Sequence, residues 1–211
     1  MILFLDTVSP LAKFSIIEEN NVIQSINILN KKDNKISDCI IPAFLKLEKK
    51  FQIKNKINKL IICTGPGSYT ALRVGISFLN GLSFSMNIPI IGISCPDILS
   101  HAIKNSEITK TLIFITSSND QYFFCTFNKN KNICIKKIDF KKKYELIRGN
   151  KYNQTISNFK MPNEIIKIID MRNHKILSLE KILCKNYKII NKFKPVKIIR
   201  PIYISDNKIL N

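Results

Sequence analysis

At 211 residues, with 45% hydrophobic and 23% charged side chains, the chain has the length and composition of one large globular domain or two small ones. Thirty-four Lys and Arg against 15 Asp and Glu leave a net charge of +19, which ordinarily points to nucleic acid or an acidic membrane. Only Arg73, Arg148, Arg172 and Arg200 are arginines, and the lysines spread along every segment as solvated faces do. The charge therefore supports general attraction to polyanions without marking a dedicated patch.

Residues 1 to 30 read as three strands. The runs Met1–Leu5, Phe14–Ile17 and Val22–Leu29 are separated by Asp6-Thr7, Ser9-Pro10 and Asn20-Asn21, all turn formers. A carboxylate and a hydroxyl at the end of the first strand have two readings. Asp6 and Thr7 either cap the turn backbone or hold a phosphate or metal-bound water. Lys31–Lys35 is a polar linker. In Asp38–Phe51 the residues Ile41, Phe44, Leu45 and Phe51 recur at helical spacing, with Pro42 near the first turn.

Leu60–Cys63 is a β-branched apolar run and predicts a buried strand. Gly65-Pro66-Gly67 then punctuates a tight turn, and Ser68 is placed to cap the helix that follows. Backbone N–H groups at such a turn favour anions, but the spacing matches neither a P-loop nor a dinucleotide fingerprint. A plain strand-to-helix turn is the simpler reading. The helix Tyr69–Met86 is apolar on nearly every side, through Leu72, Val74, Ile76, Phe78, Leu79, Leu82, Phe84 and Met86. Small residues line up one turn apart, as Ser77, Gly81, Ser85 and as Ala71, Gly75, which permits close approach of a second backbone. One face on the sheet with the other on a partner, or a helix central to a monomeric core, both fit this pattern. Arg73, Asn80, three serines and the stop at Asn87-Ile88-Pro89 exclude a membrane span.

Ile90–Ile93 predicts a short strand and Cys95–Lys104 a helix, with Ser94 as cap and Pro96 in the first turn. Thr111–Ile115, Tyr122–Asn128 and Ile133–Phe140 repeat the three-strand opening, with turns at Ser117–Asp120 and Asn128–Asn132. Tyr144–Arg148 is a short element followed by a turn at Gly149-Asn150. Ile165–Ile169 reads as strand and His174–Cys184 as helix, while Lys194–Ile204, with Pro195 and Pro201, reads as loop or sheet edge. Two three-strand openings, each followed by α/β units, predict a duplicated architecture with lobes at 1–105 and 106–211.

The six cysteines, Cys39, Cys63, Cys95, Cys125, Cys134 and Cys184, show no C-x-x-C pair. Most lie in apolar runs, which predicts buried free thiols in a reducing compartment. His101 and His174 belong to no metal-ligand pattern, and no nucleophile–base pair is evident. The N-terminus has no basic region, and Asp6 ends its apolar run, so no signal peptide is expected and a cytoplasmic location is.

Leu3-Phe4-Leu5-Asp6-Thr7, Gly65-Pro66-Gly67-Ser68-Tyr69-Thr70-x-Leu72-Arg73-Val74-Gly75, Asn80-Gly81-Leu82, Pro89-Ile90-Ile91-Gly92-Ile93-Ser94 and Pro201-Ile202-Tyr203-Ile204 together resemble the bacterial TsaB family. The likeness is strong over residues 1 to 100 and weak beyond. The sequence departs from the family pattern in several places. Ala71 replaces a usual glycine, Ile36 a common histidine, Thr116-Ser117-Ser118 a usual Asp-Ala-Arg, and Ser205 a usual arginine.

The resemblance implies an α/β, actin-like (ribonuclease H-like) duplicated fold of two lobes, each a mixed sheet flanked by helices, the second lobe diverged. It implies a non-catalytic accessory subunit of tRNA threonylcarbamoyladenosine synthesis. The partners implied are a TsaD-type transferase, bound as a heterodimer, and a TsaE-type ATPase, with a homodimer when alone and weak or indirect tRNA contact. ATP and a divalent metal belong to those partners, and no cofactor or metal to this chain. The implied partner face is Ile41, Phe44, Leu45, Ala71, Gly75, Phe78, Gly81, Leu82 and Ser85. The alternative is a nucleotide-dependent transferase of the same superfamily. It would place phosphate at Asp6, Thr7, Gly65, Gly67, Ser68, Tyr69, Thr70 and Arg73. A metallopeptidase, a third activity once inferred from this fold, lacks its metal-binding histidines here.

Overall fold

Asp6 ends a strand with no exposed residue, Ile2–Asp6 (β1), and such a strand belongs at the centre of a sheet. The computed structural model describes residues 1–29, 35–116, 121–130, 132–139, 152–163, 173–205 and 208–210. β1 pairs antiparallel with Lys13–Glu18 (β2) and parallel with Lys59–Cys63 (β4). Asn21–Asn27 (β3) and Ile90–Ile93 (β5) complete the order β3-β2-β1-β4-β5.

The second sheet repeats this plan. Thr111–Thr116 (β6) is central, flanked by Gln121–Phe127 (β7) and Ile133–Asp139 (β8) on one side. Gln154–Ser157 (β9) and His174–Ile176 (β10) lie on the other. Each sheet has two antiparallel and then two parallel pairings, in the same sequence order. The duplicated mixed-sheet architecture expected from the two three-strand openings is present.

Alternation along β1 assigns the layers. Leu3 and Leu5 join Phe14, Ile16, Ile62 and the inner faces of Ile36–Phe51 (α1) and Tyr69–Met86 (α2) in one apolar cluster. Ile2, Phe4, Ile61 and Cys63 point the other way, onto Cys95–Ser100 (α3) and Leu179–Lys185 (α4). There the cluster continues into Ile113, Ile115 and Ile156 of the second sheet. A third cluster, Leu112, Phe114, Tyr122, Phe124, Phe159 and Met161, covers the far face of that sheet. The two sheets thus share one core across α3 and α4.

A single charged pair adds to this join among the described residues. Lys13 Nζ donates to Glu180 Oε1 at 2.6 Å, both side chains largely buried. Burial, the largest single influence, pushes the Glu180 carboxyl up, but the hydrogen bond and charge of Lys13 together with hydrogen bonds from Ser178 and the Glu180 backbone hold the group below its ordinary 4.5.

Helix α2 has the expected limits, and it lies close on β1. A Cβ at Gly75 would sit 2.6 Å from Thr7 Cγ2 and 3.3 Å from Leu5 Cδ2, so no larger residue fits there. The C-terminal segment then returns to this half. Val196 bridges Ile90 on β5, Asn80 exchanges two 3.0 Å hydrogen bonds with the backbone of Ile199, and the Ile202 N–H donates to the Thr64 carbonyl. Tyr203–Ser205 (β11) pairs with Lys208–Leu210 (β12).

Several expectations differ. The helix predicted over Cys95–Lys104 is regular only to Ser100, although Ser94 caps it as expected, accepting from the Asp97 N–H. His174–Cys184 divides: the first three residues pair with β9, because a ladder to a buried strand outweighs helical spacing, and helix begins at Leu179. Ser68 makes no side-chain cap. Cys134 is exposed and Cys39 half-buried, whereas Cys63, Cys95, Cys125 and Cys184 are buried free thiols. The turn at Ser117–Asp120, the element at Tyr144–Arg148 with its turn, the strand at Ile165–Ile169 and most of the linker lie outside the described residues.

Gly75→Val should lower the stability to urea by about 1–3 kcal/mol, because the helix must lift from Thr7. Since a lowered carboxyl stabilises above its unfolded value and ceases to as pH falls, the parent chain should lose stability as pH falls through 4.5 to the lowered value, and Glu180→Gln should lack that step. Denaturant titrations across pH measure both.

Candidate functional site

The ends of β1 and β4 and the start of α2 meet at the glycine turn. Asp6 is fully buried, and its Oδ1 accepts 2.9 Å hydrogen bonds from the Val8 and Ser9 N–H groups, as a turn-capping carboxylate does. Its Oδ2 and the Thr7 hydroxyl have no partner. Burial raises the Asp6 carboxyl above its ordinary 3.8, against the opposing pull of Ser9, Val8 and Lys13. Cys95 lies near, its thiol pushed well up by burial and by Cys63 beside it, so neither chemistry of thiolates nor metal binding is favoured there.

Gly65 holds φ +110°, a conformation reserved for glycine, and faces Leu72 and the Ile202 carbonyl rather than open space. Gly67 packs on Val8. Above the turn lies a cleft of about 310 Å³ between the sheets, with hydroxyls from Thr7, Ser68, Thr70 and Thr116 on its walls. Ala71 and Ile36 add apolar surface, Ile36 at the position where the resembled family commonly has histidine. Among the described residues lining this cleft, none carries a positive charge. Among the described residues, no three His, Cys, Asp or Glu side chains gather as a metal site.

The candidate anion residues therefore separate. Thr7, Ser68 and Thr70 line the cleft, Asp6 lies beneath it, and Gly65 and Gly67 shape the turn. Tyr69 and Arg73 turn away toward the C-terminal strand. The Arg73 guanidinium stands 3.8 Å from the centre of the Tyr69 ring and donates from Nε to the Tyr203 hydroxyl at 3.0 Å. It also donates to the Tyr69 hydroxyl. The Tyr69 and Tyr203 rings are 4.6 Å apart. Arginine and aromatic residues are clustered here, brought together from positions 130 apart in the chain. The hydrogen bond that Arg73 donates to Tyr203 raises the guanidinium value further, leaving a fixed cation on the surface.

On the other side of α2 the candidate partner residues also separate. Ile41 and Leu45 are more than half exposed on α1, and Phe84 is 90% exposed on α2. Gly81 and Ser85 are exposed, and a Cβ at Gly81 would meet nothing within 4 Å. Ala71, Phe78 and Leu82 are half-buried at the rim. Phe44 and Gly75 belong to the interior. Phe44 packs its ring against Phe14 and Phe78, and Gly75 meets Thr7, so both support the face from beneath and neither forms it. Phe84, absent from the sequence-based set, is its most exposed member. Its place in an apolar helix was visible in the sequence; its exposure was not.

This pair of sheets, with helices on the outside and a cleft at strand ends, defines a duplicated actin-like α/β protein. The family model described as "TsaD: tRNA N6-adenosine threonylcarbamoyltransferase" matches residues 31–137. The chain belongs to that family, among its TsaB members. A protein of Buchnera aphidicola subsp. Baizongia pistaciae named "tRNA threonylcarbamoyladenosine biosynthesis protein TsaB" is 26% identical over 132 residues, 61% of this chain and 58% of that protein. The Bacillus subtilis protein of the same name is 28% identical over 100 residues, 47% of this chain and 43% of that one. The matches thus span about half of the length of such relatives, 58% and 43%. Among solved structures, YeaZ from Pseudomonas aeruginosa shares the fold at TM-score 0.61 and 12% identity, covering 96% of this chain and 99% of that one.

Because the raised Asp6 carboxyl favours the neutral form, its stabilisation is complete below pH 3.8 and falls as pH rises through the raised value. Asp6→Asn keeps both turn hydrogen bonds and removes that cost. It should be more stable than the parent at pH 7, with the difference vanishing below about pH 3.8, as thermal melts would show.

Proposed function

We propose that this chain is a non-catalytic accessory subunit of tRNA threonylcarbamoyladenosine synthesis, working in the cytoplasm. It binds a TsaD-type transferase through the outer faces of α1 and α2 and holds it active toward adenosine beside the anticodon of ANN-decoding tRNAs. The observations that carry this reading are the exposed apolar side chains of Ile41 and Leu45 on α1 and Phe84 on α2, with the open backbone of Gly81 on α2. Two adjacent helices with such faces form the surface a second helical pair packs on, and glycine lets backbones approach closely. The names of the relatives supply the pathway. A TsaE-type ATPase completes the assembly, ATP and a divalent metal reside in those partners, and the chain alone pairs with itself through the same face.

The unpartnered Asp6 Oδ2 and Thr7 hydroxyl favour a second reading, a ligand-binding transferase. The absence of charge among the described residues of the cleft weighs against a triphosphate, whose charge needs cations or a metal. Binding of ATP with magnesium tighter than about micromolar, by calorimetry, would favour that second reading.

Gly81→Leu tests the first. With nothing near its Cβ, the substitution should leave the chain folded and stabilise α2 by about 0.5–1 kcal/mol, while capture of the purified transferase weakens by at least about tenfold. An unweakened heterodimer would overturn the assignment of this face.

A further inference from the structure

We propose that an RNA backbone docks in a second groove, at the opposite end of the second sheet from the cleft. This groove, of about 450 Å³, lies where β9 and β10 begin, beside the segment linking α3 to β6. Lys104 and Lys175 supply two exposed ammonium groups from different segments, and Asn153, Gln154 and Asn173 supply three carboxamides between them. Among the described residues, Glu107 is the one carboxylate in the wall and Ala102 the one apolar residue.

The chemistry fits a phosphate–sugar strand. Ammonium groups neutralise phosphates, and amides offer donors and acceptors to phosphate oxygens and ribose hydroxyls. Those amides are already oriented: Gln154 Nε2 donates to the Thr111 hydroxyl at 2.8 Å, and Asn173 Nδ2 to the Asn153 carbonyl at 3.2 Å. A protein partner would look for an apolar centre, which this groove lacks. The net charge of +19 brings any polyanion to the surface, and the groove gives it a place to settle. That the RNA is tRNA rests on the function proposed above; the groove's fit to an RNA backbone does not.

The test measures binding of labelled bulk tRNA to the full chain by fluorescence anisotropy at several salt concentrations. Lys104→Glu with Lys175→Glu should weaken binding by about tenfold or more and flatten the salt dependence by about one unit of log–log slope per lysine. Lys136→Glu with Lys137→Glu changes the net charge equally on β8, at the far edge of the same sheet, and should weaken binding less than about twofold. Equal weakening by both pairs, no weakening by the first, or attachment to anionic lipid vesicles without tRNA binding would each overturn the inference. Transferase capture separates this from the proposed function, and Lys104→Glu with Lys175→Glu should capture the transferase as well as the parent does. A parent chain that captures the transferase but binds no tRNA sinks only the groove, and one that binds tRNA without capture sinks only the accessory role.

Discussion

Helix α2 lies so close on the end of β1 that position 75 has room only for hydrogen, and the rest of the first half follows from that contact. Thr7 and Leu5 form the floor on which Gly75 sits. The connection from β4 must then rise steeply into the helix, which Gly65 permits at φ +110°. With the axis set, Leu72, Ile76 and Leu79 turn inward, Asn80 and Arg73 face the returning C-terminal segment, and Gly81, Phe84 and Ser85 remain on the outside. Two glycines on one helix thus serve opposite purposes. One is filled from within its own chain, and the other is open to whatever comes from outside.

The C-terminal segment depends on the same helix. β5 is an edge strand, and an uncovered edge invites pairing with another chain. Val196 occupies part of that edge, Asn80 holds Ile199 by both its amide groups, and Tyr203 stacks with Tyr69 beside Arg73. Motif residues that look like parts of a ligand turn therefore act as anchors for chain more than a hundred residues later. Together with the core shared across α3 and α4, this ties the two sheets into one body, unlike lobes joined only at a hinge.

Local patterns were legible where local physics governs. The limits of α2 follow from its glycine turn, its apolar run and the Asn87 stop, and the duplicated strand plan follows from the repeated openings. β9 was not legible, since Gln154-Thr155-Ile156-Ser157 has one apolar side chain and becomes a strand only by pairing with β6. β10 was misread as helix for the same reason. At the candidate site, residue types were readable and their directions were not. Phe44 and Phe84 are equally apolar in sequence, but one completes a ring cluster and the other stands in solvent. Arg73 could not reveal its tyrosine partner, because that contact spans 130 residues.

Charge placement separates the cleft from the rest of the surface. A cleft that binds nucleotide needs either cations on its walls or carboxylates ready to hold a metal. Here Asp6 is committed through Oδ1 to two backbone N–H groups, and burial favours its neutral form. Ile36 and Ala71 add hydrocarbon where a phosphate would need donors. Lys104, Lys175 and Arg73 lie instead on exposed surface. Among the described residues the cleft thus presents hydroxyls and hydrocarbon, whereas these cations and the apolar side chains of Ile41, Leu45 and Phe84 face outward.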